Sequence, residues 1–377
     1  MQRIKIQPRH NWQQKIEQIG FTFNSQGSAY WTEDACYRFN AHEINKLEEA
    51  TQTLYALCLE AVQHVIDNKL YHLFHIPQHI IPFIEKSWEE EHPSVYGRFD
   101  LVFDGYSQVK MLEFNADTPT SLFESAVVQW YWLQELFPEY DQFNSIHEKL
   151  IDKWKELKQY LKPGTLYFSG LMESVEDLTT VEYLRDCAVQ AGLDTKFIAI
   201  EDIGWDFTKQ QFTDLENKPI NNIFKLYPWE WMVHEEFGVN LAASAGNAYW
   251  IEPAWKMILS NKAILPVLWK LFPNHPNLLP AFFERPSLMN SFVKKPLLSR
   301  EGANITLVKN NSLLESSDGE YGEEGYIFQE YFEIPQFDNL RPVIGSWLID
   351  GQPAGIGIRE TTGYITGNMS RFVAHYF

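Results

Sequence analysis

Two carboxylates, an amide and a guanidinium recur at even spacing within one short stretch. Arg98 and Asp100 lie in its first run, and Glu113 and Asn115 in its second. Two carboxylates plus an amide oxygen are hard donors suited to Mg²⁺, which takes few protein oxygens and completes its shell with water and phosphate. A guanidinium beside them can neutralise a phosphoryl group in transfer. The stretch continues as Asn115-Ala-Asp-Thr-Pro-Thr-Ser121, where Thr118, Thr120 and Ser121 offer hydroxyls to a substrate. Asp117 and Thr118 read equally well as N-cap residues of a following helix.

The elements that must position these groups follow from alternation. Phe99-Asp-Leu-Val-Phe103 and Val109–Asn115 flank Asp104-Gly105, a hairpin pattern. Strand side chains alternate faces, so Arg98 and Asp100 share one face and Phe99, Leu101 and Phe103 take the other. Glu113 and Asn115 likewise oppose Leu112 and Phe114. An even-length turn places all four polar groups on one face; an odd one splits them. A salt-bridge ladder on an exposed strand is the competing reading.

The second half holds weaker phosphate signals. Phe292–Ile305 reads as strand, small polar loop and strand, with Lys295 just before Pro296. Its loop, Ser299 to Asn304, includes Glu301 and a single glycine, Gly302, and can fold over phosphates with backbone N–H donors. No G-x-x-x-x-G-K-[ST] occurs, so this is not a P-loop. A solvated surface lysine stays open as an alternative. Ile327-Phe-Gln-Glu-Tyr331 reads as an apolar strand whose Gln329 and Glu330 can meet adenine and ribose, or simply as a half-buried strand with polar ends.

Around these lie a helix from Ala41 to Asn68, a long helix after Pro119 and another near His147 to Leu161. An alternation follows: strand Thr165–Leu171, helix Val175–Ala191, strand Thr195–Ile200. It reads as a βαβ unit with parallel strands. A strand at Ile223–Leu226 and a helix from Lys262 to Leu271 come next. After Pro286 the runs are short and β-rich, with a second hairpin turn at Asp350-Gly351. The fold class is therefore α/β (α+β), with a mainly antiparallel C-terminal β region.

The net charge of -19 over 377 residues disfavours nucleic acid and anionic membranes as partners. A mean hydropathy of -0.31 fits a soluble globule. Three cysteines, Cys36, Cys58 and Cys187, give no disulfide framework. His64, His72, His75 and His79 have no carboxylate-rich segment beside them and read as surface or capping residues rather than a zinc site. No apolar run nears the roughly 18 residues of a membrane span, and no signal region opens the chain, so the expected location is cytoplasmic.

The chain resembles the glutathionylspermidine synthase family, in its ATP-grasp synthetase portion. The likeness rests on Gly97-Arg-Phe-Asp100 with Leu112–Pro119; on Ile251–Lys256 with Ser260–Trp269; on Val293–Gly302; and on Gly345-Ser-Trp347 with Gly357-Ile-Arg359. The resemblance implies ATP and Mg²⁺ as cofactors. It implies Asp100, Glu113 and Asn115 as metal ligands and Arg98 as stabiliser of phosphoryl transfer. Lys262 and Lys295 would hold phosphates, Ser299–Gly302 would be the lid, and Gln329, Glu330 and Tyr331 would line the adenine and ribose site. Arg359, with Asn368, would come from the final strands. The implied domains are a helical region over residues 1–95, the metal hairpin and helix over 96–135, a βαβ substrate region over 136–255, the ATP lid over 256–325 and closing strands over 326–377.

The implied reaction joins a carboxylate, such as a short peptide like glutathione, to a polyamine-like amine through an acyl phosphate. Where a synthetase of this family carries a cysteine in the glutathione-binding loop, this chain reads Thr118-Pro-Thr-Ser121, which leaves both substrates open. No Cys/His amidase segment is present, so no hydrolytic activity is expected. Asp100→Ala and Glu113→Ala are expected to abolish turnover at little cost in stability. A nucleotide binder without turnover, acting in a complex, and a module binding a cationic metabolite are the alternatives.

Overall fold

The computed structural model describes residues 1–22, 30–244, 247–367 and 370–377. Asn368, one of the expected site residues, lies outside them. Three sheets carry the architecture. The largest has seven strands in the order Gln2–Lys5, Trp31–Arg38, Arg371–Tyr376, Gln352–Thr361, Arg341–Ile349, Tyr96–Phe103 and Val109–Asn115. All neighbours are antiparallel except Trp31–Arg38 with Arg371–Tyr376. Residues 1–95, expected to be helical, thus also supply two strands to this sheet. Three more of its seven strands come from the end of the chain and two from the hairpin Tyr96–Asn115.

The second sheet is parallel, in the order Tyr249–Ile251, Asn222–Leu226, Leu166–Gly170 and Thr195–Ala199. Leu166–Gly170, the helix Val175–Gln190 and Thr195–Ala199 form the expected βαβ unit. The third sheet is antiparallel, in the order Ala281–Phe282, Tyr326–Glu330, Phe292–Pro296, Thr306–Lys309 and Ser312–Ser316.

A helix of 27 residues, Ala41–Asp67, starts at a capping box formed by Asn40 and Glu43. It buries Ile44, Leu47, Leu54, Val62 and Val65, the stripe its periodicity marks. Burying each such side chain is worth roughly 1.5–3 kcal/mol. The Thr51 hydroxyl lies 2.6 Å from that of Ser346, which ties the helix to the centre of the large sheet. Phe99 and Phe114, stacked with centroids 4.0 Å apart, and Leu101 and Phe103 belong to the same core. That apolar packing leaves the opposite face of the hairpin for Arg98 and Asp100. The helix after Pro119 is not one regular run: Glu124–Val128 form a π turn before the α-helix Gln129–Leu136. The helix expected from Lys262 begins at Ile264.

Candidate nucleotide and metal site

The connection between the hairpin strands has five residues, 104–108, since Phe103 pairs with Val109. The Asp104 carboxylate accepts the backbone N–H groups of Tyr106, Ser107 and Gln108, which fixes this longer turn. An odd turn alone would put Glu113 and Asn115 on the wrong face. A β-bulge corrects it: the register shifts between Asp100 and Leu101, and beyond the shift Asp100 faces Glu113 and Arg98 faces Asn115. The turn is thus odd, the case that by itself splits the two pairs, and the common face arises through the bulge instead.

The bulge also docks the third sheet. Lys295 Nζ donates to the Leu112 carbonyl at 2.8 Å, and Gln329 Nε2 to the Met111 carbonyl at 3.2 Å.

The exposed-ladder alternative does not hold. Arg98 is 4 % and Asp100 5 % exposed, on a strand flanked by neighbours on both sides. Arg98 Nε donates to Asp100 Oδ1 at 2.7 Å and Nη2 to Oδ2 at 3.2 Å; Arg359 Nη2 reaches Oδ2 at 3.3 Å. Asp100 thus lies between two guanidiniums. Lys262 Nζ sits 3.3 Å from Glu113 Oε2 and donates to the Ser299 carbonyl at 2.6 Å. Burial opposes ionisation of Glu113, but Lys262 and Lys295 outweigh it and hold the carboxyl at about 2. Burial likewise pulls Lys295 down to about 8, against the pull of Glu113.

These groups line one cavity of about 140 Å³ between the large and third sheets. Of the expected site residues, Arg98, Asp100, Glu113, Asn115, Thr118, Thr120, Lys262, Lys295, Ser299, Glu301, Gly302, Gln329, Glu330, Tyr331 and Arg359 all face it. Ser121 does not line it: its hydroxyl is buried against that of Tyr30 at 3.0 Å. Asp117 is structural. Its carboxylate takes Lys225 Nζ at 2.6 Å and the Trp229 N–H at 2.9 Å, tying the polar loop to the parallel sheet.

Sequence reasoning missed Arg300, although it stands inside the expected lid loop. It donates to the Thr118 hydroxyl and lies 3.6 Å from Glu230, so the loop is held down. An apolar wall of Leu112, Val293, Ile305, Leu307 and Val343 was also missed. Glu176, in an ordinary first helical turn, lies outside the cavity lining. Burial, then Glu124, Asp177 and Glu301, push its carboxyl up to about 8.

Two glycines are needed here. Gly302 has φ +73, and a Cβ there would meet Ile365 and Thr366 at 2.9 Å. Gly345 faces the Arg98 side chain, where a Cβ would stand 2.7 Å from Cδ. Gly345→Ala should therefore unseat a guanidinium that Asp100 holds in place. The expected loss is about 1–3 kcal/mol of stability, read by urea denaturation. An unchanged midpoint would show that Arg98 has room to move.

The chemistry of the lining suits a nucleotide with its metal. Among the described residues, three buried polar groups facing it find no hydrogen-bond partner: Ser299 Oγ, Arg300 Nη1 and Thr366 Oγ1. Five cations (Arg98, Lys262, Lys295, Arg300, Arg359) face four carboxylates (Asp100, Glu113, Glu301, Glu330), a formal balance of +1 in a chain of net charge -19. Asp100, Glu113 and Asn115 bring hard oxygens together beside those cations, a donor set suited to Mg²⁺. The apolar wall suits a base.

The sheets and this cleft between them define an ATP-grasp protein. A glutathione synthetase-like effector from Globodera pallida shares the fold, with a TM-score of 0.56 at 10% identity over 91% of this chain and 89% of that one. The chain belongs to the glutathionylspermidine synthase preATP-grasp family, whose model matches residues 3–377. A Haemophilus influenzae protein named "Putative acid--amine ligase" is 42% identical, covering 100% of both chains. The trypanothione synthetase of Crithidia fasciculata is 27% identical over 84% of this chain and 52% of its own length. The bifunctional glutathionylspermidine synthetase/amidase of Escherichia coli is 26% identical over 86% and 56%. The chain thus spans about half the length of these last two relatives. No helix among the described residues is long and apolar enough to cross a membrane.

Proposed function

We propose that the chain is an ATP- and Mg²⁺-dependent carboxylate–amine ligase that forms an amide through an acyl phosphate. The observation that carries this reading is the convergence of five cations on Asp100, Glu113 and Asn115 in a strongly acidic chain. Lys262, Lys295 and Arg300 hold the phosphates. Asp100, Glu113 and Asn115 hold Mg²⁺, which when bound neutralises phosphate charge. Arg98 and Arg359 flank the transferred phosphoryl group and stabilise the charge it develops. Gln329, Glu330 and Tyr331 meet the adenine and ribose, while Thr118 and Thr120 meet the acid.

The amine then displaces phosphate from the acyl carbon. It must shed a proton as the C–N bond forms. A short peptide such as glutathione for the acid and a polyamine for the amine accord with the names of the relatives. The cavity is smaller than the roughly 300–1,000 Å³ of ligand pockets. Nucleotide entry therefore lifts the Ser299–Gly302 loop off Thr118 and Glu230.

Mg²⁺ with a non-hydrolysable ATP analogue at about 100 times its dissociation constant should stabilise the protein by roughly 2.7 kcal/mol. Thermal denaturation reads this directly. No shift at saturating analogue would sink the ligase reading.

A further inference from the structure

A second cavity, of about 370 Å³, shares no lining residue with the nucleotide cleft. It opens at the carboxyl ends of the parallel sheet. Leu171, Ile200 and Tyr227, all lining it, directly follow the strands ending at Gly170, Ala199 and Leu226. From the strand Leu166–Gly170 the chain passes to a neighbour on one side, Thr195–Ala199, and then returns to a neighbour on the other, Asn222–Leu226. Such a reversal opens a crevice between the two connections, the usual place for a ligand in an open parallel sheet.

The floor is aromatic. Phe212 and Trp250 are buried and meet edge to face, 5.2 Å between centroids, with Tyr227 and Met232 beside them. Trp250 is 2 % exposed and its indole N–H has no acceptor among the described residues. The rim is acidic: Glu201, Glu235 and Glu236 are exposed, and the Tyr227 hydroxyl donates to Glu235. No lysine or arginine is among the described lining residues.

We infer that this cavity binds an organic cation: a compact amine whose aryl or alkyl body carries a hydrogen-bond acceptor. The body seats on Phe212 and Trp250, where burial of apolar surface favours it. Its ammonium stays at the rim, where three carboxylates favour it and repel anions. Exposed carboxylates each contribute modestly and are screened by salt, so charge sets selectivity more than strength. A ligand acceptor reaching the floor satisfies the Trp250 donor. This site stands or falls independently of the ligase reading, because it needs neither nucleotide nor metal.

Calorimetric titration of the full chain, without nucleotide or magnesium, tests it with three matched probes: tyramine, its neutral alcohol counterpart tyrosol, and 4-hydroxyphenylpropionate. Tyramine should bind roughly tenfold more tightly than tyrosol, and the acid should not bind. The double variant Glu201→Gln/Glu236→Gln changes only exposed side chains. It should remove most of tyramine's advantage over tyrosol, leave tyrosol unchanged and melt as the wild type does. Adding Mg²⁺ and the ATP analogue should leave tyramine affinity unchanged. Equal binding of tyramine and tyrosol, binding of neither, wild-type tyramine affinity in the double variant, or competition by the nucleotide would each overturn the proposal.

Discussion

Glu113→Gln should lower ATP-dependent phosphate release by roughly 10²–10³-fold, with the protein still folded. The substitution keeps the size and one oxygen donor and removes one charge. That charge lies opposite Asp100 in the hairpin ladder, 3.3 Å from Lys262. Without it the proposed metal site loses one of its two carboxylates, and the Mg²⁺ requirement should rise along with the loss of kcat. Stability reports on the same electrostatics. In the free protein Glu113 separates Lys262 from Lys295, so the variant leaves two buried ammonium groups facing each other. Glu113 also raises Lys295 toward its ordinary value; without it Lys295 falls below about 8 and is neutral by pH 9. The variant should therefore melt several degrees below wild type at pH 7, with a smaller deficit at pH 9. A wild-type kcat with an unchanged magnesium dependence would remove Glu113 from the site. Asp100→Ala is a poorer probe than the sequence suggests. It strips the buried Arg98 of its partner, and an uncompensated buried charge costs about 3–5 kcal/mol, so lost activity would be confounded with lost stability.

What the sequence made legible here is what alternation encodes. The period of two put Arg98 with Asp100 and Glu113 with Asn115, and the apolar residues between them had to face a core. The relation between those two pairs depended on turn length, which the sequence left open between even and odd. Asp104 captures three N–H groups in a longer turn, and the Leu112 bulge restores the phase. A bulge has no reliable sequence mark, and its compensation is visible only in the register. The large sheet was hidden for another reason. Phe372 pairs with Trp31 in a parallel contact across almost the whole chain, and no local pattern encodes such a pairing. Arg300 was missed because a loop arginine has an ordinary local role. What sets it apart is Glu230 and Thr118. Asp117 and Ser121 show the converse: they fit a binding loop by type, yet one is spent on Lys225 and the other on Tyr30.

Lys295 gives the second large effect, and its sign is set by burial. Burial pulls its ammonium down to about 8, Glu113 opposes that, and Lys262 adds to it. The free protein therefore carries Lys295 charged below pH 8 and increasingly neutral above, whereas a bound triphosphate favours the charged form throughout. Affinity for ATP should be flat up to about pH 8. Above that it should weaken by up to roughly tenfold per unit, as binding must restore the lost proton. Stability of the free protein runs the opposite way. The unfolded lysine titrates near 10.4, so between about 8 and that value the unfolded chain holds a proton that the folded one has shed. Stability contributed by this group therefore rises with pH across that window. Lys295→Gln should weaken ATP binding roughly 10- to 150-fold at pH 7, the range for a hydrogen bond to a charged group, and abolish the alkaline decline. Lys295→Arg, charged at every accessible pH, should keep part of the affinity and also lose the decline. Equilibrium binding of the ATP analogue from pH 6.5 to 9.5 separates these cases. A decline that persists in Lys295→Arg would assign it to another group. A pH-independent wild type would mean that Lys295 does not contact the phosphates.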